Sequence, residues 1–447
     1  MAFPDDDSRS ARLATRAARS LPGGNSRHSV LYPPYPVYAA RGEGCRLTDV
    51  DGVTRIDAVN NMSSLIHGHG NAAVLQALGE QISAMLSVGA PTEVEIELAE
   101  ILTGRLPGVD LIRFANSGSE AMMFACRCAR GFTSRSGIAK VEGAYHGSYD
   151  SVEFGLSPDP SSWGASDAPA PVPATNGIPA GVQQDTIVIP FNDVEAAEAI
   201  LRAHADSLAA VIIDPVVSRM GFIEASPAYL DMIRSVTRDL DALLIFDEVF
   251  SFRIGYHGAQ GEVGIKPDIT VLGKVIGGGM PIGAVGGSAE VMALFDHSAG
   301  PLAIEHSGTF FANPMSMAAG SAALEQLTPE ALERLNGLGD YLRAGLRRAL
   351  DETGTDGYVA GVGSLSALFL AGEPPADYRG FFGVMQAGAL ERGMALHRFL
   401  LNNGVQIIPP GGIVLSTPMT RSDIDEIVEQ VTAGIIRIRD GAAVQTA

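Results

Sequence analysis

Two short apolar runs, each ending at a polar residue, constrain this chain more than any other feature. They lie in residues 242–279, which read ALLIFDEVFSFRIGYHGAQGEVGIKPDITVLGKVIGGG. Short aliphatic or β-branched runs bounded by turn signals are typical of buried strands in an α/β sheet. Polar residues just past the carboxyl ends of such strands line the crevice where open α/β sheets bind ligands. The sequence therefore predicts that Asp247, which ends the first run, and Lys274, which follows the second, face one pocket.

Lysine is rare in this chain, which narrows the search for a reactive amine. The 31 basic residues include only Lys140, Lys266 and Lys274. Lys266 precedes a proline in a loop and is most simply a solvated charge, whereas Lys140 ends an apolar run and could reach water from a strand end. Lys274 lies between an apolar strand and a glycine run that allows close approach of the backbone to a bound group. Loss of hydration there would lower its pKa towards the neutral amine that Schiff-base chemistry needs.

A second informative segment follows an earlier strand. A predicted strand over residues 111–115 meets Ser117, Gly118 and Ser119, and an amphipathic helix follows directly. The free backbone N–H groups at a helix start, with small hydroxyl side chains and a glycine, can bind a phosphate. The same three residues are also ordinary helix-capping chemistry. Both interpretations stay open from these residues alone, although the position after a strand favours phosphate binding.

Strand and helix patterns alternate through the middle of the chain. Predicted strands over 186–190 and 209–216 flank a helix over about 193–204, and such repetition implies an α/β fold with a mainly parallel sheet. We expect residues 71–325 to form this large domain. From residue 326 to 447 a long helix, two strands and a last helix with its N-cap at Ser422 predict a smaller α+β domain. Residues 1–70, which contain a predicted hairpin turning at Asp51-Gly52, are expected to belong to the small domain.

Residues 157–181 form a loop rich in proline, alanine and serine that holds the only tryptophan, Trp163. Such a loop is either a surface excursion or an active-site lid, and the sequence does not distinguish between the two.

Composition excludes several classes of function. A net charge of −20 argues against nucleic acid or anionic membrane as a general partner. The acidic start and the absence of a long apolar run predict a soluble, cytoplasmic protein with no membrane span. The cysteines Cys45, Cys126 and Cys128 lack the spacing of a zinc site, so no metal is expected, and the latter two are interpreted as helix packing. With 46% hydrophobic and 18% charged residues, we expect a large core and a subunit interface.

Five motifs occur in order along the chain: NSGSEA, the YHG at Tyr145–Gly147, LIFDEV, LGKVIGGGMPIGAVGG, and Gly308-Thr309 followed by NPMSMAAG. Together they resemble the class III aminotransferases of pyridoxal 5′-phosphate (PLP) fold type I. The most similar branch contains the glutamate-1-semialdehyde aminomutases and the β-amino-acid aminotransferases. The resemblance spans nearly the whole chain. It implies a PLP cofactor, a fold type I large domain and a homodimer whose subunits share active sites.

The resemblance also assigns roles around the cofactor ring. Lys274 would hold PLP as a Schiff base and carry the proton between the substrate carbon and the cofactor. Asp247 would pair with the pyridine nitrogen and keep the ring an electron sink. Val249 would pack on one face of the ring and Tyr145 on the other. His146 belongs to the same motif, with a structural and a catalytic role both open.

At the phosphate end, the resemblance implies that Ser117, Gly118 and Ser119 bind the cofactor phosphate. Thr309 would reach the same phosphate from the second subunit.

The resemblance to β-amino-acid aminotransferases rests on the segments RHSVLYPPYPVYAARGEGCRLTDVDG and LIHGHG. It implies that Arg41 binds the substrate carboxylate, a task suited to its bidentate guanidinium. A second carboxylate-binding arginine is expected near the carboxyl terminus, where Arg398 is the candidate although the expected position reads Asn402-Asn403. The implied reaction moves an amino group from a carboxylate-bearing amine to an oxo acid such as 2-oxoglutarate or pyruvate.

The alternative is an intramolecular aminomutase of the glutamate-1-semialdehyde type. That branch usually carries a tryptophan-containing segment where this chain has NNMSS at residues 60–64. The departure favours the aminotransferase.

Overall fold

The computed structural model describes residues 3–298, 300 and 303–440. In chain order the helices are α1 (Arg9–Ala17), α2 (Ala72–Ala84), α3 (Glu93–Arg105), α4 (Gly118–Thr133), α5 (Ala180–Gln184), α6 (Val194–Ala203), α7 (Pro227–Asp239), α8 (Gly258–Val263), α9 (Ala289–Met292), α10 (Pro314–Gln326), α11 (Pro329–Thr353), α12 (Tyr378–Val384), α13 (Leu390–Asn402) and α14 (Arg421–Arg439). Among the described residues, no helix combines the length and apolar character that crossing a membrane requires.

The strands, in the same order, are β1 (Ala39–Glu43), β2 (Arg46–Asp49), β3 (Thr54–Asp57), β4 (Leu111–Ala115), β5 (Gly137–Val141), β6 (Gly164–Ala165), β7 (Ala168–Pro169), β8 (Thr186–Ile189), β9 (Leu208–Ile213), β10 (Val216–Val217), β11 (Ile223–Glu224), β12 (Leu243–Asp247), β13 (Ile269–Gly273), β14 (Gly283–Gly287), β15 (Tyr358–Ala360), β16 (Leu365–Phe369), β17 (Val405–Gln406) and β18 (Gly412–Val414).

A seven-stranded sheet in the order β4-β14-β13-β12-β9-β5-β8 forms the centre of the molecule. The neighbours from β13 to β8 run parallel, whereas β14 runs antiparallel to both β13 and β4. The predicted α/β fold with a mainly parallel sheet is therefore confirmed. Parallel crossovers place the carboxyl ends of β5, β9, β12 and β13 at one edge, where such sheets bind ligands.

Side chains alternate between the two faces of this sheet, as the pleat of a strand requires. On one face, Ile212 and Ile245 pack against the small apolar residues of α4, which include Cys126 and Cys128. On the other face, Val211 and Leu244 pack against α6 and α7. Both faces are covered by helices, which explains why the strands read as continuous apolar runs instead of alternating ones.

Several helices begin with the same local chemistry. Ser226, Asn313 and Thr328 each accept a hydrogen bond from a backbone N–H two or three residues on, and a proline follows each of them. A capping oxygen and a proline at the first helical position are both favourable there. The N-cap of the last helix was predicted at Ser422, which is wrong: it is Thr420, because Thr420 and Asp423 bond to each other's backbone in a capping box.

The carboxyl-terminal region forms an antiparallel sheet, β15-β16-β18, packed with α11, α13 and α14. The amino-terminal sheet β1-β2-β3 joins this region through β17, which pairs parallel with β3. The turn between β2 and β3 contains Asp51-Gly52, as the predicted hairpin requires. These pairings support the proposed division into 1–70 with 326–447 as a small domain and 71–325 as a large one; residues 1–2 and 441–447 of that division lie outside the described residues.

His397 connects the amino-terminal segment to the small domain. Its ring meets Tyr32 edge to face at 4.8 Å, its side chain is buried, and its Nε2 has no hydrogen-bond partner among the described residues. Burial, assisted by the charge of Arg398, lowers the pKa of His397 to about 4. The neutral imidazole is therefore the form that this packing accommodates.

We predict that His397 makes the free energy of unfolding sensitive to acid. Because its pKa is lower in the folded state than in the unfolded chain, the unfolded chain binds the proton first, so stability is full above about pH 6.5 and is lost as the pH falls towards 4. Between these pH values the parent should lose up to about 3 kcal/mol of unfolding free energy through His397. We expect this loss to be absent in His397→Phe and His397→Gln, so their urea midpoints should depend less on pH. Midpoints that fall as steeply in both variants as in the parent would contradict this account.

Candidate active site

A cavity of about 320 Å³ opens at the carboxyl ends of the central strands. Its walls bring together segments far apart in sequence: the loop before α2, the start of α4, the loop after β5, and the ends of β9, β12 and β13. The sequence-predicted residues that line it are Ser117, Gly118, Ser119, Tyr145, His146, Asp247, Val249 and Lys274. Asp247 and Lys274 therefore face one pocket, as the ends of their strands predicted.

Lys274 follows the last residue of β13 and points its amine into the cavity. Its Nζ lies 4.4 Å from the centre of the Phe250 ring. Burial lowers its pKa, although the carboxyls of Asp247 and Asp214 oppose that effect. The backbone of Lys274 is left-handed, with φ of 50°, a conformation that costs energy for a side chain of this kind and that proteins retain mainly at functional sites.

Asp247 is held by its neighbours at the end of β12. The Nδ1 of His146 donates to Asp247 Oδ2 at 2.8 Å, and the backbone N–H of Val249 donates to Oδ1 at 3.1 Å. His146 is fully buried, and burial lowers its pKa despite the opposing carboxylate. A neutral imidazole that donates through Nδ1 therefore orients Asp247, and this contact gives His146 a positioning role.

Asp214 is a second buried carboxyl in the cavity wall, and the sequence analysis missed it. It follows β9, and its Oδ1 accepts a hydrogen bond from the backbone N–H of Val216 at 3.1 Å. Burial, followed by the charge of Asp247, raises the pKa of Asp214 well above its usual range. The same strand-end rule that found Asp247 would have found Asp214, since it also directly follows an apolar run.

The start of α4 has the geometry of an anion-binding site. Ser117 caps the helix by accepting from the N–H of Glu120 at 3.2 Å, and Ser119 Oγ accepts from the N–H of Ser148 at 3.0 Å. Neighbouring backbone approaches very closely: a Cβ on Gly283 would lie 1.9 Å from the Ser117 carbonyl oxygen. Helix N–H groups and hydroxyls are therefore fixed at one end of the cavity, where a phosphate is well accommodated.

A left-handed turn forms another part of the wall. Asn60, Asn61, Met62 and Ser63 have consecutive positive φ values of 48°, 48°, 54° and 75°. Arg27 donates to Asn61 Oδ1 at 2.6 Å. Asparagine tolerates this conformation, whereas methionine and serine seldom adopt it. The two asparagines were the only sequence signal for this turn.

Lys140 lies beneath the loop that carries Tyr145, and the expectation that it reaches water was wrong. Its side chain is fully buried, and its Nζ donates to the carbonyl oxygens of Phe154 at 2.7 Å and Val141 at 3.1 Å. Burial, together with the charge of Arg219, lowers the pKa of Lys140 to about 7. The lysine therefore joins the two ends of the loop, together with the hydrogen bond from the Gly143 N–H to the Gly155 carbonyl at 2.6 Å.

The proline-rich loop contributes no residue to the cavity lining, and its segment around Trp163 packs against α12. Arg379, in α12, bonds to Glu142 at 3.0 Å and also donates to the carbonyls of Trp163, Gly164 and Ala165. Its guanidinium lies 4.8 Å from the Trp163 ring centre. The small-domain helix therefore fixes this loop against the segment after β5.

Three predicted residues do not reach the cavity of their own chain. Thr309 is exposed and does not line it. Arg41 lies in β1 with a side chain that is 75% exposed, 4.0 Å from Glu43. Arg398 lies in α13, also away from the lining. The predicted substrate contacts thus have no geometric support within one chain.

A family model for "Aminotransferase class-III" matches residues 28–433. The chain belongs to the class III aminotransferases. It is 38% identical over 438 residues to glutamate-1-semialdehyde 2,1-aminomutase 2 of Geobacillus kaustophilus (strain HTA426), covering 96% of this chain and 99% of that one. An omega-transaminase structure from Sphaerobacter thermophilus has a TM-score of 0.93 and 43% identity, covering 97% and 99%. A beta-phenylalanine aminotransferase from Variovorax paradoxus has a TM-score of 0.86 and 34% identity, covering 98% and 96%.

As a class III aminotransferase the protein is a PLP-dependent transaminase, which confirms the predicted enzyme class and cofactor. The cavity fits this group. Its phosphate would lie on the N–H groups and hydroxyls at the start of α4, Asp247 would supply a carboxylate to the ring, and Lys274 would supply a buried amine. Bound PLP supplies an electron sink for the bond that breaks at the substrate carbon.

We predict that the close packing at Gly283 is essential to the phosphate end of this aminotransferase. Gly283→Ala would drive a Cβ into the backbone of Ser117, which should destabilise the fold by about 3 kcal/mol and weaken PLP retention. Gly337→Ala is the matched control, because a Cβ there meets nothing within 4 Å on the surface of α11; it should stabilise by about 0.5–1 kcal/mol. Chemical unfolding and PLP content after dialysis measure both effects. Equal behaviour of the two variants would contradict the prediction.

Proposed function

We propose that the enzyme transfers the amino group of a β-amino acid to an oxo acid such as 2-oxoglutarate or pyruvate. The observation that carries this proposal is that the buried amine of Lys274 shares one cavity with the His146–Asp247 pair in a chain of the class III family. A β-amino acid donor is supported by the similarity to the beta-phenylalanine aminotransferase from Variovorax paradoxus.

We assign the following roles to the chain's own residues. Lys274 Nζ holds the cofactor covalently and moves the proton to and from the substrate carbon, since burial lowers its pKa towards the neutral amine. Asp247, oriented by His146, balances a positive charge on the cofactor ring nitrogen. Val249 and Tyr145 pack on the two ring faces. Ser117, Gly118 and Ser119 bind the phosphate.

The intramolecular aminomutase is the second candidate, favoured by the 38% identity to an aminomutase of Geobacillus kaustophilus. The wall at residues 60–64 argues against it. Asn61 and Ser64 line the cavity there with polar side chains bonded to each other at 2.9 Å, in place of the tryptophan-containing segment that the aminomutase branch usually carries.

Arg41 and Arg398 stay proposed as substrate carboxylate ligands, as their guanidinium groups suit that task. Their distance from the cavity of their own chain means that each would need a closing movement or a contribution across the subunit interface.

We predict that Lys274→Met abolishes the amino-transfer half-reaction. Borohydride should trap the cofactor on Lys274 of the parent, and 3-amino-3-phenylpropanoate should shift its visible absorption. The variant should lose at least about 10³-fold in that rate, because both the covalent attachment and the proton carrier are removed. Lys266→Met is the matched control, since Lys266 is exposed in a loop.

Addition of 2-oxoglutarate or pyruvate to the parent should then yield glutamate or alanine. A parent that isomerises an amino semialdehyde without any added acceptor, and forms neither amino acid, would support the aminomutase instead.

We also propose a homodimer with shared active sites. Exposed apolar side chains cluster on α2, α3 and the segment between them, where Leu75, Ile82, Leu86 and Ile96 are 55–59% exposed. A patch of this kind is unusual on a monomer. Thr309 would then reach the phosphate end of the partner's cavity.

We predict a sedimenting mass twice the 46.6 kDa of one chain. Leu75→Glu with Ile82→Glu should yield monomers that lose PLP, because the charges would be buried at the interface. Leu390→Glu, at an exposed leucine of α13, is the control and should leave the dimer intact. Within intact dimers, Thr309→Ala should weaken PLP binding by about 0.5–1.5 kcal/mol. A monomeric parent that retains PLP would refute the shared site.

A cytoplasmic location is proposed as well, because Cys45, Cys126 and Cys128 are buried as free thiols. Recovery of the protein with secreted markers after cell fractionation would contradict it.

A further inference from the structure

Arg219 lies next to the cavity and has no role in the proposed function so far. It belongs to the helical turn Ser218–Met220, which follows β10 and precedes β11. Two earlier residues of the same segment, Asp214 and Ser218, line the cavity. Arg219 does not itself line the cavity, but it directly follows Ser218, which does.

Arg219 has few bonding partners for a guanidinium. Its Nη2 donates to Ser157 Oγ at 2.9 Å, and among the described residues no carboxylate lies within 4.0 Å of it. By comparison, Arg379 pairs with Glu142 at 3.0 Å and Arg234 with Asp268 at 3.0 Å. In a chain with a net charge of −20, an arginine without a carboxylate partner has donors available for an external anion.

Arg219 is partly covered by neighbouring protein atoms. The residue is exposed to solvent, yet burial by neighbouring atoms lowers its pKa, while Tyr378 and Tyr145 act in the opposite direction. Tyr145, which lines the cavity, is therefore within electrostatic range of Arg219.

Charge within the cavity gives an amino acid one preferred orientation. The cavity wall carries Lys274 and Asp247, and the carboxylate of Asp247 repels an incoming carboxylate. Lys140 is also within electrostatic range of Arg219, but it is fully buried and bonded to two carbonyls. Arg219 is thus an exposed cation beside the cavity that can meet an incoming carboxylate while the amino group points to Lys274; Arg27, which donates to Asn61 of the cavity wall at 2.6 Å, is another.

We propose that Arg219 binds the substrate carboxylate at the mouth of the cavity and thereby selects amino and oxo acids over amines without a carboxylate. This inference rests on the proposed function and refines its substrate class. The planar fork of a guanidinium binds a carboxylate through two parallel hydrogen bonds. The Ser157 hydroxyl holds the guanidinium ready when no substrate is bound.

A purely structural role is the competing explanation, in which Arg219 only ties down the loop at Ser157. Ser157→Ala separates the two, because it removes this tie and leaves the guanidinium. Arg202→Met is a matched control for the loss of one positive charge, since Arg202 is exposed on α6 and pairs with Glu198 and Asp239 away from the cavity.

The test compares carboxylates with their neutral amides. Calorimetry on the PLP-loaded enzyme measures binding of 3-phenylpropanoate and 3-phenylpropanamide, and stopped flow measures the half-reactions of 3-amino-3-phenylpropanoate and its amide. Arg219→Met should weaken carboxylate binding and raise the half-saturation concentration about 10- to 100-fold, as loss of a charged hydrogen bond implies. The amides should be unaffected, and Arg219→Lys should restore part of the loss.

Three results would overturn the inference: unchanged carboxylate binding in Arg219→Met, an equal loss for carboxylate and amide, or a loss in Ser157→Ala as large as that in Arg219→Met. If the parent shows no half-reaction with any amine, the proposed function fails, whereas the binding of 3-phenylpropanoate still decides the role of Arg219.

Discussion

The hydrogen bond from His146 to Asp247 is the interaction on which the site depends. A carboxylate at the end of a buried strand loses most of its hydration, and only specific donors can hold it in one orientation. His146 provides such a donor because its own burial keeps it neutral. Were His146 to take up a second proton, its Nε2 would be a buried donor without a partner among the described residues. The pair therefore favours one protonation pattern, with the charge on Asp247.

Asp214 is a second buried carboxyl near Asp247, and its protonation is affected by that neighbour. Two carboxyls in one buried space repel each other, so the pKa of one rises and its protonated form is favoured; here burial and Asp247 raise the pKa of Asp214. Lys274 lies near both, yet burial lowers its pKa. The site thus combines an amine whose pKa is lowered with the carboxylate of Asp247, which suits a cofactor that carries a cationic ring nitrogen and an anionic phosphate at opposite ends.

Much of this site could be predicted from sequence because its parts are local. Asp247 ends a short, mostly apolar strand and Lys274 and Ser117 come just after others, and the sheet gathers such strand ends at one edge. The left-handed turn at 60–63 could not be predicted, since its strain is sustained by distant partners: Asn60 donates to the Val414 carbonyl at 2.8 Å, and Arg253 to that of Ser63 at 3.1 Å. The burial of Lys140 escaped prediction for the same reason, because its acceptor on Phe154 lies 14 residues away.

Arg253 connects the turn at residues 60–63, the end of β12 and the small domain through hydrogen bonds. This fully buried guanidinium lies just after β12 and also donates to Ser364 Oγ at 3.0 Å and to the Leu415 carbonyl. Arginine rarely gives up its proton even when burial lowers its pKa. A buried charge without hydrogen bonds is costly, so each of these acceptors stabilises the Arg253 guanidinium. The amino-terminal turn, the strand end with Asp247 and the small domain must therefore assemble together. A cavity wall drawn from three parts of the chain is thereby fixed relative to Lys274, and its shape depends on the completed fold more than on any one motif.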